Sequence, residues 1–169
     1  IMIAQVHSYC LGGALGIMIC HDLVYAAEDA QLGMPEILRG SYGRSATPTL
    51  FHSRIPMKNA FYFQLTGRNI SGARAVELGL ASECAPAGQL RERTRALAEE
   101  IATRNGVALE HAKIAAYTEV DLPFEIAAKV DETISHRMRF YTDPLADVDG
   151  YLKSQKGGTN LRYRRPDES

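Results

Sequence analysis

The chain contains no tryptophan, only three cysteines in 169 residues, and almost no excess of charge. Cys10, Cys20 and Cys84 lie in apolar contexts and form no CxxC or Cys/His cluster. This distribution predicts reduced cysteines in a protein core and argues against a disulfide framework or a metal site. The 19 basic and 20 acidic residues leave a net charge of −1, so we expect neither a nucleic-acid-binding surface nor a membrane-binding surface.

Long apolar runs are also lacking, because the best candidate is interrupted at His21 and Asp22 before it could cross a bilayer. No secretory signal is visible. We therefore predict a cytoplasmic protein, and its hydrophobic fraction of 46% is typical of a globular chain. The sequence opens on IMIAQVHSYC, in the middle of an apolar element, so we expect an N-terminal portion of the protein to be missing from this chain.

Glycine, by contrast, is concentrated in one apolar region. The segment CLGGALG (residues 10–16) has three glycines in seven positions. Glycine in a buried segment costs conformational entropy, so the usual reason for it is a close approach of the backbone. Periodicity predicts a strand before this turn and a buried helix after it, followed by further elements that indicate an α/β layer: strands at 22–27, 31–33 and 81–85, and helices at 34–40, 46–55, 57–67 and 72–80.

The pattern changes to helices alone after Pro86, and we divide the chain into an α/β part, 1–86, and a helical part, 87–169. The first of these helices carries Leu90, Thr94, Leu97 and Ile101 on one face, and Gly106 is expected to end it. Further helices are predicted over 107–120, 123–141 and 145–156, before a polar tail. Each has an apolar stripe suited to packing on a partner subunit.

Two linked motifs resemble a known family. The segment IAQVHSYCLGGALGIMICHDLVYAAEDAQLGMPEILRG (residues 3–40) resembles the central signature of the enoyl-CoA hydratase/isomerase, or crotonase, superfamily. The later segment LTGRNISGARAVELGLASECAP (residues 65–86) is similar to a second stretch of that family. The resemblance implies a crotonase-like spiral of ββα units, followed by a helical C-terminal region that mediates trimerisation.

The same resemblance implies an enzyme that acts on acyl-CoA thioesters. In the family, the glycine turn lies against the thioester, which assigns a substrate contact to Gly12 and an oxyanion-stabilising N–H to Gly13. Glu36 takes the place of a glutamate that serves as acid and base. The other oxyanion donor of the family comes from an upstream AGxD-type turn, which has no counterpart in residues 1–169. Coenzyme A arrives as part of the substrate, and no metal or separate cofactor is implied.

One departure from the family pattern bears on the reaction. Gly16 stands where hydratases with two glutamates carry the partner acid. Water addition is easiest with two such groups, whereas one carboxylate is enough to move a proton between carbons during double-bond migration. A hydratase-lyase of the hydroxycinnamoyl-CoA type is an alternative, because it also lacks the first glutamate. A decarboxylase or a non-catalytic acyl-CoA-binding protein is a further alternative.

Other residues are candidates for substrate contacts. In SYGRSAT (residues 41–47), Tyr42 and Arg44 are expected either to meet a polar or aromatic acyl group or to face solvent. Relatives place an aromatic residue and a lysine near the adenine or phosphates of coenzyme A, which points to Phe140 with Lys153 or Lys156. For the lysines, a solvated helix face is the alternative interpretation. The resemblance also implies a homo-trimer or a hexamer.

Overall fold

The computed structural model describes residues 1–44, 46–142 and 148. Six short strands of the first part of the chain form two sheets of three strands. The first sheet has the order β1-β3-β6 and is parallel throughout, with β1 at Ile3–Val6, β3 at Leu23–Ala27 and β6 at Glu83–Ala85. The second has the order β2-β4-β5, with β2 at Tyr9–Leu11, β4 at Gln31–Gly33 and β5 at Ile70–Ser71.

The strand pairing follows a spiral. In one turn of the spiral, β1 and β2 precede helix α1 (Gly13–Ile19). In the next turn of the spiral, β3 lies beside β1 and β4 lies beside β2. Ile3 is opposite Leu23 in one sheet, and Tyr9 is opposite Gln31 in the other. Each pair of strands therefore repeats one turn later against its counterpart, which confirms the expected crotonase-like ββα spiral.

Helices and one 3₁₀ helix connect and cover these strands. Their ends follow local signals: Ser71 Oγ accepts a hydrogen bond of 3.1 Å from the Arg74 N–H, which is typical of an N-cap serine. Gly40 and Gly67 end their helices in the left-handed region, with φ of 73° and 62°. The bounds are Pro35–Arg39 for the 3₁₀ helix, Thr47–His52 for α2, Met57–Thr66 for α3, Gly72–Glu77 for α4 and Ala87–Ala102 for α5.

The chain divides into two compact units, Ile1–Arg104 and Asn105–Ser169, whereas the sequence led us to expect the change at residue 86. Helix α5 belongs to the first unit because it packs on β1, β3 and β6 and buries Leu90 almost completely. The core of this unit is continuous, and its largest fully buried side chains come from strands and helices alike: Phe63, Leu15, Leu32, Met34, Leu50 and Leu90.

The second unit contains helices α6 (Gly106–Glu119) and α7 (Phe124–Arg139), which pack against each other. The prediction that Gly106 ends the preceding helix is wrong. Helix α5 stops at Ala102, and Gly106 begins α6, because the Asn105 side chain accepts hydrogen bonds from the first-turn N–H groups and asparagine is a strong N-cap. The predicted helix at 145–156 lies outside the described residues, apart from Val148.

Three further expectations need correction. Strand β2 was not predicted, because three residues carry no periodicity. Helix α1 is not buried on every side, since Ile17 is 67% exposed. Cys10 is buried, and its burial raises the pKa of its thiol. Cys84 is half-buried, but Cys20 is exposed and is therefore not a core residue. None of the described helices has both the length and the apolar composition that a membrane span requires.

Candidate active site

The glycine turn lies where two parallel strands end together. The N–H of Gly12 donates to the carbonyl oxygen of Gly33 at 2.9 Å, which ties the end of β2 to the end of β4. Gly12 has φ 57° and ψ −120°, a combination outside the regions that other residues adopt. The turn therefore depends on glycine for its backbone conformation as well as for space.

Gly13 is the first residue of α1, so its N–H belongs to the first turn, where backbone donors have no partner within the helix. The residue is exposed, and a Cβ at this position would meet nothing within 4 Å. Gly13 thus combines a first-turn backbone donor with open space on the side where a side chain would lie.

Glu36 lies against the same turn. It is in the first turn of the 3₁₀ helix that follows β4. A Cβ at position 12 would overlap Glu36 Oε1 and would lie 3.0 Å from its Cδ. Gly12 therefore leaves room for the carboxyl group, and the prediction that Gly12 and Glu36 lie together in one site is consistent with this geometry.

A second glycine also adjoins the carboxyl group. Gly43 has φ 65° and is buried. A Cβ there would lie 3.3 Å from both Cδ and Oε2 of Glu36 and only 2.6 Å from Cε of Met34. Sequence reasoning passed over Gly43, although the glycine between two bulky residues in SYGRS was a usable signal. The Glu36 carboxyl group is accordingly enclosed by two glycines that are far apart in the chain.

The Oε2 atom of Glu36 is buried and has no hydrogen-bond partner among the described residues. Buried carboxylate oxygens in native proteins are normally hydrogen-bonded, so each one without a partner calls for an explanation. A role as the base in a reaction would explain the missing partner, because the lone pairs of the carboxylate then remain free to accept a proton from a ligand.

Gly16, the position at which a partner acid was considered, has another role in this fold. A Cβ there would lie 3.0 Å from Cα and 3.1 Å from Cβ of Ala46, and 3.2 Å from Oγ1 of Thr49. The missing side chain allows α1 to pack closely on α2. The sequence alone could not distinguish a lost acid from a packing glycine.

The structure describes three of the five remaining predicted site residues. Tyr42 and Arg44 flank Gly43, and both are exposed. Phe140 follows the last residue of α7 in the second unit and is 86% exposed. Lys153 and Lys156 lie outside the described residues. In the described part of the chain, no group of three or more His, Cys, Asp or Glu side chains is arranged to hold a metal ion.

Comparison with known proteins identifies the family. The sequence profile of the enoyl-CoA hydratase/isomerase family matches residues 1–147. The chain is 32% identical over 111 residues to hydroxycinnamoyl-CoA hydratase-lyase of Pseudomonas fluorescens, a match that covers 66% of this chain and 40% of that protein. It is also 32% identical over 128 residues to (E)-benzylidenesuccinyl-CoA hydratase of Thauera aromatica, covering 73% and 48%. The chain thus spans less than half the length of these two relatives.

A solved structure supports the same assignment. It is described as an enoyl-CoA hydratase/isomerase from Mycobacterium abscessus, and it superposes with a TM-score of 0.83 at 25% identity, covering 95% of this chain and 67% of that one. The chain belongs to the enoyl-CoA hydratase/isomerase family.

Proposed function

We propose that this chain carries the acid/base part of an enzyme that transforms an acyl-CoA thioester through an enolate. The observation that supports this most directly is the Glu36 carboxyl group, enclosed between Gly12 and Gly43 and adjoining the first turn of α1. Such an arrangement combines a base with a nearby backbone donor. These are the two requirements for moving a proton at the carbon next to a thioester.

The proposed reaction assigns one role to each group. The thioester oxygen lies near the Gly13 N–H, and the Glu36 carboxylate removes a proton from the α-carbon. The electron pair of the broken C–H bond moves into the carbonyl group, and the enolate oxygen receives the hydrogen bond of Gly13. Loss of one such donor typically costs about 10²–10³ in kcat. The open space beside Gly13 is consistent with a thioester there.

With one carboxylate, double-bond migration is the simplest outcome. A β,γ-unsaturated thioester loses its α-proton to Glu36, and the same proton returns to the γ-carbon to give the α,β-unsaturated isomer. No other proton carrier is needed. Coenzyme A enters and leaves as part of the substrate, and we propose no metal ion or redox cofactor for this step.

A hydratase-lyase is the second candidate, and it is favoured by Gly16 together with the similarity to the Pseudomonas fluorescens enzyme. Here water adds to an aromatic enoyl-CoA. The β-hydroxyl proton then leaves, the Cα–Cβ bond breaks, and the products are an aromatic aldehyde and the enolate of acetyl-CoA, which takes up a proton. Tyr42 and Arg44 are proposed to contact the aromatic or polar acyl group in that case.

The test uses the complete protein and three substrates: crotonyl-CoA, a 3-enoyl-CoA and a hydroxycinnamoyl-CoA. Mass spectrometry distinguishes addition of water from release of acetyl-CoA, and chromatography detects an isomer of unchanged mass. We expect Glu36→Gln to bind the acyl-CoA within a small factor of the wild type, measured by calorimetry, and to lose about 10²–10⁴ in turnover.

The matched control is Glu92→Gln, which removes a carboxylate from the exposed face of α5. This variant should keep wild-type turnover. Wild-type turnover of Glu36→Gln would eliminate Glu36 as the base. Binding of the acyl-CoA esters by the wild type without conversion of any of them would favour the non-catalytic acyl-CoA-binding alternative.

A further inference from the structure

A chain of side-chain hydrogen bonds leads from α3 to the loop that covers Glu36. Gln64 Nε2, on α3, donates to Thr47 Oγ1 at 3.1 Å and is 3.4 Å from the carbonyl oxygen of Tyr42. Thr47 Oγ1 is in turn 2.9 Å from that oxygen and 3.1 Å from the carbonyl oxygen of Gly43. A hydroxyl group has one proton and two lone pairs, so Thr47 accepts from Gln64 while it donates to the loop backbone.

The backbone that Thr47 and Gln64 hold lies close to the Glu36 carboxyl group. The Gly43 carbonyl also accepts from the N–H groups of Ala46 and Thr47 at 2.9 and 3.0 Å. A Cβ built on Gly43 would lie 3.3 Å from the buried Oε2 of Glu36. Any movement of the loop at Gly43 therefore changes the space that is available to the carboxyl group.

Glu36 itself has little else to hold it on this side. Its Oε2 accepts no hydrogen bond from the described residues, and the 3₁₀ helix on which it lies has five residues and no side-chain cap. The positions of Gly12 and Gly43 therefore limit the space of the carboxyl group. Gly12 is held by its hydrogen bond to Gly33. Gly43 is held by the N–H groups of Ala46 and Thr47 and also by the Thr47 hydroxyl, which accepts from Gln64.

We propose that Thr47 and Gln64 are positioning residues for the reaction, which hold the Glu36 carboxyl group in its reacting orientation by fixing the backbone of Tyr42 and Gly43. This inference rests on the proposed role of Glu36. Neither Thr47 nor Gln64 contacts the substrate in this scheme. They act through the loop, and their removal should slow the chemical step more than it weakens binding.

The test compares Thr47→Val, which keeps the shape of the side chain and removes the hydroxyl, with Thr47→Ser, which keeps the hydroxyl. We expect kcat of Thr47→Val to fall between about tenfold and 10²-fold, since misplacement of a reacting group by about 1 Å has an effect of that size. KM should change far less. Thr47→Ser should restore most of the turnover.

Gln64→Leu provides an independent variant, because it removes the amide donor and leaves Thr47 in place. We expect kcat to fall in the same direction as for Thr47→Val. The double variant should lose much less than the product of the two single effects, since both residues act through one loop. This second variant keeps the inference testable if Thr47→Val does not fold.

The matched control is Thr94→Val. Thr94 is a half-buried threonine whose hydroxyl donates to the Leu90 carbonyl within α5 at 2.8 Å. Thr94→Val should lose a hydrogen bond similar to that of Thr47. We expect its free energy of unfolding in urea to fall and its kcat to stay at the wild-type value. A purely structural role of Thr47 would give the same pattern as this control.

Two results would overturn the inference: wild-type kcat in Thr47→Val and Gln64→Leu, or an equal fall of kcat in Thr47→Ser and Thr47→Val. Failure of the proposed function is a different result, namely wild-type turnover of Glu36→Gln. An inactive Glu36→Gln combined with a fully active Thr47→Val rejects only the positioning role.

Discussion

Gly12→Ala tests the geometry of the site most sharply, because one added methyl group has two separable effects. The first is on the backbone, since φ 57° and ψ −120° at this position are unfavourable for any side chain. The second is on Glu36, because the new Cβ would overlap Oε1. The carboxyl group is the flexible partner in this contact, so we expect it to move away from the turn.

Each effect has its own magnitude. A residue forced into a sparsely populated backbone region costs of order 1–3 kcal/mol, and this loss appears in the free energy of unfolding. Displacement of a general base removes a contribution of about 10²–10⁴ in rate, which corresponds to about 2.7–5.5 kcal/mol in the activation barrier. Activity should therefore fall much further than stability.

The control for backbone strain is Gly79→Ala. Gly79 also has a positive φ, 75°, but a Cβ there would meet nothing within 4 Å. Urea unfolding of both variants gives the stability term, and kcat per folded molecule, measured with the best substrate of the panel, gives the activity term. We expect Gly79→Ala to lose stability alone and Gly12→Ala to lose both.

Wild-type kcat in Gly12→Ala would refute the reasoning, because the carboxyl group would then not depend on the space at position 12. A loss of kcat in Gly79→Ala as large as that in Gly12→Ala would also refute it, since backbone strain alone would account for the effect.

Four further outcomes can be measured. Gly13→Val should leave the free energy of unfolding within about 1 kcal/mol, since a Cβ there meets open space, yet lower kcat by about 10²–10³; full activity would mean that the thioester lies elsewhere. Gly16→Glu should destabilise the protein by about 1–3 kcal/mol, because its Cβ would lie 3.0 Å from Cα of Ala46, and it should not increase the rate of crotonyl-CoA hydration. A stable variant that hydrates crotonyl-CoA faster would contradict this. The hydrogen bond of 2.7 Å from Tyr25 to Glu83 raises the pKa of Tyr25 above its usual value of 10.0. The folded state therefore holds the phenol proton more tightly than the unfolded state, and the stability that this adds is complete below about pH 10 and is lost as the pH rises further. Urea unfolding above pH 10 should show a shallower loss of stability in Tyr25→Phe than in the wild type. We also propose that the complete protein is a trimer or a hexamer, because α7 buries none of its residues in this chain, and a monodisperse monomer in light scattering would count against it.

The site illustrates how far sequence reasoning reaches. Gly12, Gly13 and Glu36 were predicted as site residues because residues 3–40 resemble the central signature of a known family. The predicted ends of the helices at 34–40 and 57–67 agree with the structure to within one residue, and Gly40 and Gly67 follow the last helical residues. These signals are local, since a cap or a left-handed glycine depends on hydrogen bonds among residues within one turn.

Other features were decided only by the tertiary structure. Gly43 lies beside Glu36, and Gln64 lies beside Thr47, but no local pattern marks these pairs. Gly16 is a packing residue because Ala46, at the start of α2, lies against it. Without knowledge of this contact, the glycine is explained equally well as the loss of a catalytic acid. Side-chain chemistry and local backbone preference are properties of the sequence, whereas contacts between distant segments depend on how strands and helices pack in three dimensions.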